Sequence, residues 1–499
     1  MGKYLLAIDG GTGSIRSALF DLDGNQIAIS WREWTHHSDP QIMGSMNFDC
    51  AVNWDLTVQT IRECIVNVDP DDILACAATS MREGIVLYDD ANREIFACAN
   101  VDSRAAAEGR ALKETLGLEE ELYSLSGQTF SLGAISRLFW VKNNLPEIYA
   151  KTRHINMLND WISFKLTGLL TSEPSNGCTT GMFDLSARKW DDEILARCNL
   201  KTGIFPNVYE CGESIGNISK KAAVETGLSE NTLVVAGGGD AQLGCVGIGA
   251  VSSGQAAILG GSFWQYEYNT DRLIMDKGCR VRVNCHAVPN IWQYEAIAFF
   301  PGLLMKWYKN TFCGADTYAR AEEQAAAVPV GSHGMICTFS DIMNYISWRH
   351  AAPTFTDFAF DTDKFNRYTF YRAIMESAAY VCRGHLELVK EVTGLAPEYI
   401  MFAGGASKSP LWGQILSDVL KLPVKTPVVK EATSLGAAIC AGVGVGVYEN
   451  VAAARLVKIE REYKPNTDDY DKYYEKWKRV YSKQLELADS GVTNYMWSG

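Results

Sequence analysis

Tyr4-Leu5-Leu6-Ala7-Ile8-Asp9-Gly10-Gly11-Thr12-Gly13-Ser14 near the start of the chain and Ala256-Ala257-Ile258-Leu259-Gly260-Gly261-Ser262 past its midpoint follow one pattern. Each is an apolar run that fits a buried strand, then a pair of glycines at a tight turn, then the start of a second strand. Paired glycines let the backbone fold closely around a ligand and leave its N–H groups free to point at phosphate oxygens. The repeat differs in one place: Asp9 precedes the first glycine pair and Leu259 the second. Two such halves, with an acid kept on one side, are expected where paired lobes face one nucleotide.

At 499 residues the chain is too long for one ordinary core and predicts two large domains. We place them at 1–249 and 250–499, with the boundary inside 247–252. The composition, 47% hydrophobic and 21% charged, is that of a folded globular protein. A formal net charge of −13 disfavours nucleic acid and anionic membrane as partners. Fourteen cysteines lie scattered from Cys50 to Cys440 without a C-x-x-C pair, which disfavours zinc, redox chemistry and a disulfide framework. The first apolar segment is short and ends at Asp9, unlike a signal peptide, and Leu6 stands where an acylation motif needs Ser or Thr. The stretch Leu435 to Tyr448 is too short and glycine-rich to span a bilayer, so the expectation is a cytoplasmic protein.

Around the first glycine loop the pattern is β-β-β-α-β-α. Ser17–Leu22 and Gln26–Ser30 read as strands about an Asp23-Gly24 turn. Trp54, Val58, Ile61, Ile65 and Val68 give helical spacing, followed by the strand Ile73–Thr79 and the hairpin Ile85–Ala97. This predicts an α/β fold of two actin-like, ribonuclease H-like domains, each a mixed sheet flanked by helices, with a cleft between them. The second half reads as strands at 255–259, 263–268 and 280–285 and a helix from Gly302 to Asn310. A long helix from Tyr368 to Thr393, the strand Tyr399–Ala403 and a terminal surface helix after Lys464 complete it.

Two further corners bear on chemistry. At Ala403-Gly404-Gly405-Ala406-Ser407-Lys408-Ser409-Pro410 a buried strand breaks into glycines before a helix that Ser409 can cap and Pro410 can start. Such a corner can let adenine and ribose lie against backbone; it also fits a plain tight connection. In Val234-Val235-Ala236-Gly237-Gly238-Gly239-Asp240 an acid follows three glycines at the end of a strand. Asp240 is expected to face the cleft opposite Asp9, take a proton from an alcohol and, with Asp9, orient hydrated Mg²⁺. Read alone, it also fits a helix N-cap. The chain has no G-x-x-x-x-G-K-[ST] loop and no G-x-G-x-x-G after its first strand.

In order, Asp9-Gly10-Gly11-Thr12-Gly13-Ser14, Gly239-Asp240-Ala241-Gln242, Gly260-Gly261-Ser262 and Gly404-Gly405-Ala406-Ser407 resemble the phosphate, catalytic and adenosine motifs of the FGGY carbohydrate kinases. The resemblance covers nearly the whole chain and implies ATP and Mg²⁺ as cofactors and a small-molecule acceptor. It implies ATP contacts at Gly10, Gly11, Thr12, Gly13, Ser14, Gly260, Gly261, Ser262, Gly404, Gly405, Ala406 and Ser407. Arg82 and Glu83 stand where glycerol kinases hold substrate hydroxyls and where a xylulokinase is expected to show Met-His. The alternative for this pair is a surface ion pair of little worth. Asp102 and Asp160 fall in other substrate-side motifs, and Trp264 either walls the pocket or belongs to the core.

The stretches Gly44–Asp49, Ser80–Tyr88, Ala97–Arg104 and Leu259–Gln265 resemble a branch whose acceptor is the quorum-sensing signal 4,5-dihydroxypentane-2,3-dione. Another short polyol or ketose as acceptor, and a non-catalytic actin-like ATP switch, stay open as alternatives. As in several family members, a regulatory sugar-phosphotransferase carrier protein and a homo-oligomer are conceivable partners; no residue locates either contact.

Overall fold

Tyr4–Gly10 forms strand β1, buried from Leu5 onward, as a strand covered on both faces must be. The structure, a computed structural model, describes residues 2–130, 133–429, 431–453 and 456–498. β2 (Ser14–Asp21) and β3 (Gln26–Glu33) follow as an antiparallel meander. After helix α1 (Cys50–Ile65), β4 (Ile73–Ser80) returns parallel to β1. β5 (Ser214–Asn217) and β6 (Leu233–Gly239) complete a six-stranded mixed sheet in the order β5-β6-β4-β1-β2-β3. Helix α2 (Asp240–Gly247) starts directly from the end of β6.

The second half repeats the plan. β7 (Ala256–Gly260) pairs antiparallel with β8 (Trp264–Thr270), and β9 (Arg282–Cys285) and β10 (Trp292–Ala298) extend that side. Helices α3 (Pro301–Phe312) and α4 (Arg367–Thr393) follow, then β11 (Ile400–Ala403), parallel to β7. Helix α5 (Pro410–Leu420), β12 (Val424–Pro427), helix α6 (Ala432–Gly444), β13 (Ile459–Tyr463) and helix α7 (Asp471–Asp489) come next. The sheet order is β9-β10-β8-β7-β11-β12-β13. β1 and β7 hold the same place, each with an antiparallel neighbour after its glycine turn and a parallel neighbour on the other side.

Alternation along β1 distributes its side chains between two layers. Leu6 and Ile8 pack with Trp54 and Ile61 of α1, whereas Leu5 and Ala7 pack with Leu435, Ala438 and Ile439 of α6. Helix α6, from the second half of the sequence, therefore covers one face of the first sheet. It also packs on α2 at close range: a Cβ on Gly436 would stand 2.0 Å from the Leu243 carbonyl oxygen. The small residues from Ala432 to Gly444 thus let the two helices touch through backbone.

Most expected elements are present, with two differences. β10 forms where the sequence predicts no element, between the strand ending at 285 and the following helix. Helix α7 is not merely superficial, since Tyr474, Trp477 and Tyr481 bury one of its faces in the core that includes α4. Among the described residues no helix is long and apolar enough to cross a membrane.

Candidate active site

Asp240 occupies the first turn of α2, and Gly239 before it, not Asp240, is the N-cap. The Ser175 hydroxyl accepts the Gly239 N–H at 3.0 Å and fixes the bend. The Asp240 carboxylate accepts the Ala241 N–H at 2.8 Å and lies 3.5 Å from Nε of Arg82. The side chain stays 35% exposed, and it lines a cleft of about 880 Å³ shared with Gly261, Gln265, Gly404, Gly405 and Ala432. Burial pushes its carboxyl up to about 6, with Arg82 opposing and Glu83 adding to the rise. Asp9, at the end of β1, is likewise pushed up to about 6 by burial, against Arg16 and helped by the charge of Asp240. The Ser434 hydroxyl of α6 donates to Asp9 at 3.3 Å, and Arg16 reaches across to Glu431 at 2.6 Å.

The first glycine turn holds its carbonyl oxygens inward. The carbonyls of Gly10, Thr12 and Gly13 take the Met81 N–H, the His36 ring nitrogen and the Trp34 N–H. Among the described residues the N–H groups of Gly11, Thr12 and Gly13 make no hydrogen bond. In the second turn the Gly261 N–H is taken by the carbonyls of Leu259 and Phe263, whereas that of Ser262 is not. Gly10 and Gly260 are the last residues of β1 and β7, and Ser14 begins β2. The N–H groups left without a protein partner are thus fewer than the two motifs promise. Gly404 sits at φ 91°, where L side chains are strained, and a Cβ there would lie 2.7 Å from the Gly260 carbonyl oxygen. That contact joins the third glycine corner to the second turn. Ser407 donates to the Gly404 carbonyl at 2.8 Å, and Ser409 caps α5 by accepting the Trp412 N–H at 3.0 Å.

Arg82 and Glu83 lie between β4 and the strand Ile85–Tyr88, and they are no surface pair. Nη1 of Arg82 donates to Glu295 at 2.5 Å, Arg282 donates to the other Glu295 oxygen at 3.2 Å, and Arg282 also holds the Glu83 carboxylate. The two halves of the chain therefore meet in an alternating row of ion pairs, Arg82–Glu295–Arg282–Glu83. Gln128 and Tyr345 extend it: Nε of Arg282 donates to Oε1 of Gln128 at 2.7 Å and the Tyr345 hydroxyl donates to the same atom at 3.1 Å. Burial works against both arginines, yet the surrounding carboxylates hold Arg82 well above its usual value. Glu295, which burial alone would raise, is held down at about 2 by Arg82 and Arg282. Glu83 has φ 61°, left-handed for a non-glycine residue, and the Arg137 guanidinium donates to its carbonyl. Such strain persists only where surrounding contacts impose it.

Glu295, Arg282 and Glu267 were missed in the sequence. The available signal was an alternation: Trp292, Tyr294 and Ala296 face the core, which puts Gln293 and Glu295 on the other face of β10. An acid inside so apolar a strand requires a partner.

Three expected site residues are placed elsewhere. Trp264 is 0% exposed, packed at a tilt against Phe402 and Trp412 in the core on the far face of β8. It does not line the cleft; Gln265, one residue on and on the opposite face, does. Asp102 is buried and spent on Arg104, whose Nη2 lies 2.6 Å from it, and on the Met46 N–H at 2.6 Å. Asp160 is buried beside Glu173, accepting the Met157 N–H at 3.3 Å, and burial with the neighbouring Glu173 charge raises it well above the ordinary range. Its neighbours Asn159, Asn176 and Ser175 hold Ser80 and Gly239, so this network supports the backbone beneath Arg82 and Asp240.

Among the described residues no three acids, histidines or cysteines converge to cage a metal. Asp240 at the cleft and the buried Asp9, both lifted in pKa chiefly by burial, fit instead a hard cation that keeps much of its water and takes phosphate oxygens as further ligands.

Models of the FGGY family of carbohydrate kinases match the chain, the N-terminal domain over residues 4–247 and the C-terminal domain over residues 274–445. Autoinducer-2 kinases of Yersinia enterocolitica and Yersinia pestis are each 46% identical, over 99% of this chain and 97% of theirs. Among solved structures, xylulose kinase of Rhodospirillum rubrum superposes with a TM-score of 0.88 at 21% identity, covering 97% of this chain and 99% of that one. Glycerol kinase of Plasmodium falciparum, with ADP, gives 0.86 at 18% identity over 97% and 98%. At those identities the two structures speak for the fold alone.

Proposed function

The chain belongs to the FGGY family of carbohydrate kinases, and from that premise we propose that it phosphorylates the terminal hydroxyl of autoinducer-2, 4,5-dihydroxypentane-2,3-dione, with ATP as donor. The product, phospho-autoinducer-2, is charged and stays in the cell as a quorum-sensing signal. Full-length likeness to the Yersinia kinases supports the acceptor. The observation that carries the chemistry is Asp240 at the end of β6, exposed to the cleft and 3.5 Å from Arg82.

Asp240 accepts the proton of the terminal hydroxyl as that oxygen attacks the γ-phosphorus in line. The P–O bond to the β-phosphate breaks, ADP leaves with the bonding pair, and the proton ends on Asp240. N–H groups of Gly11, Thr12 and Gly13 on one side and Ser262 on the other meet the charge on the phosphate oxygens. A Mg²⁺ ion, held by Asp9 and Asp240 largely through water, would supply charge neutralisation to those oxygens. Gly404–Ser407 carry the adenosine, on the corner that Gly404 presses against the second turn. Arg82 and Glu83 hold acceptor hydroxyls, with their charges balanced by Glu295 and Arg282. Asp102 and Asp160 act from behind, by shaping the loops that present this pair.

The test is direct. Purified protein is incubated with ATP, magnesium and the dione, in parallel with glycerol and D-xylulose, and the phosphorylated carbon is identified by ³¹P–¹³C coupling. Transfer to the terminal carbon of the dione, faster than to the other two, is expected. Preference for glycerol or xylulose would overturn the acceptor assignment.

A further inference from the structure

Glu267 is a buried acid that the mechanism above does not use. It stands directly opposite Glu295 in the antiparallel pair β8–β10, and Arg282 stands opposite Glu295 on its other side, in β9. Three charged side chains therefore lie in one row across three strands, on the face turned away from the aromatic core. Opposed side chains on neighbouring strands are about 5 Å apart at Cβ. Glu267 is 1% exposed and Glu295 0%. Two carboxylates so close and so dry cannot both be ionised.

Hydrogen bonding decides which one keeps the proton. Glu295 receives Arg82 on one oxygen and Arg282 on the other. Among the described residues no nitrogen or hydroxyl donor reaches either oxygen of Glu267, and the group set to hydrogen-bond with it is Glu295. The titratable and charged groups facing it are Glu295 from β10, Arg282 from β9, Arg82 from the loop after β4 and Cys245 from α2. The Cys245 sulfur is itself engaged by the Gln293 amide at 3.1 Å. Burial, then the charge of Glu295, raises Glu267 well above the usual carboxylate range, while both arginines pull the other way without prevailing.

We infer that Glu267 is a positioning residue of the acceptor site: as a neutral acid it donates a hydrogen bond to Glu295, which fixes Glu295 between Arg82 and Arg282 and so holds Arg82 against Asp240. This rests on the reading of Arg82 and Asp240 as acceptor-site groups. Glu267 itself touches no reacting atom; it acts through Glu295. Losing the proton would set a second anion beside Glu295 and draw the arginines away from it.

The experiment compares Glu267→Gln, which keeps a donor, with Glu267→Leu, which keeps bulk and loses it. Activity is measured on whichever of the dione, glycerol and D-xylulose the wild type turns over fastest, so the comparison does not depend on the dione being the acceptor. Glu267→Leu should lower kcat/KM for the acceptor about ten- to hundredfold, the worth of a hydrogen bond to a charged group, with ATP affinity within about twofold. Glu267→Gln should restore most of that loss. Wild type should lose activity on an alkaline limb that Glu267→Gln abolishes, because an amide has no proton to lose there. Difference infrared spectroscopy at neutral pH, which needs no acceptor, should show a protonated-carboxyl band in wild type that Glu267→Gln removes. If Glu267→Leu does not fold, the infrared band and the alkaline limb decide. Unaltered kinetics in Glu267→Leu, equal damage in both variants, or an ionised Glu267 at neutral pH would each overturn the inference.

Discussion

Replacing Asp240 with Asn keeps the shape of the side chain and removes the proton acceptor. In the wild type, burial at the cleft lifts the carboxyl to about 6 against the pull of Arg82. A base works in its ionised form, so kcat/KM should fall on an acid limb centred near pH 6. About nine-tenths of the enzyme is then competent at pH 7 and about one-tenth at pH 5. The variant has no such limb, and its transfer rate at pH 7 should be lower by about 10²- to 10⁴-fold, the usual worth of a positioned base, or about 3–5 kcal/mol of barrier. Nucleotide binding should survive, since the N–H groups of the glycine turns and the Gly404 corner are untouched. The assay is ADP release coupled to acceptor consumption from pH 5 to 9, with ATP binding by calorimetry at each end. More than a tenth of wild-type transfer in Asp240→Asn would refute the base role. A wild-type limb near pH 4 would refute the link between burial and the working pKa.

Other expectations follow from the same geometry. The Asp9 carboxyl, ordinarily near 3.8, is pushed up to about 6 in the folded protein, so the folded state binds the extra proton and stability falls as pH rises through that window. Asp9→Asn should therefore leave the nucleotide-free protein more stable above pH 6, by up to about 3 kcal/mol, with the gain vanishing below pH 4 in urea denaturation, while Mg²⁺-dependent ATP turnover drops. Arg82→Ala leaves Glu295 buried with one guanidinium fewer, so it should cost about 3–5 kcal/mol of stability. It should also raise the acceptor KM far more than the ATP KM; equal loss of both in binding titrations would contradict its place. Trp264→Ala should cost about 3–5 kcal/mol in thermal or urea unfolding, as a core truncation does, while in the surviving folded protein the acceptor KM stays within about twofold of wild type.

The parts of the fold legible in the sequence are those with local causes. β1 and β7 are apolar runs ending in glycine, Ser409-Pro410 is a helix start by cap and fixed φ, and α4 carries its spacing over seven turns. The bend that carries Asp240 to the cleft was legible because three glycines end a buried strand there, although the same stretch also fits a helix N-cap. β10 was not, because Gln293 and Glu295 look like a loop until Arg82 and Arg282, remote in sequence, neutralise the acid. The sequence left Trp264 open between pocket wall and core; it lies in the core because a strand alternates strictly and the cleft takes the next position, Gln265. Asp102 could have been read better, since Arg104 two residues on consumes its carboxylate. Asp160 could not, because Glu173 reaches it only through the tertiary fold.

The most direct test is a structure with a non-hydrolysable ATP analogue and the acceptor bound. The expected result is a γ-phosphate between the Gly11–Gly13 and Ser262 N–H groups, with the terminal hydroxyl bridging its phosphorus to the Asp240 carboxylate. A triphosphate seated away from both turns, or a hydroxyl whose proton faces any group other than Asp240, would contradict the account.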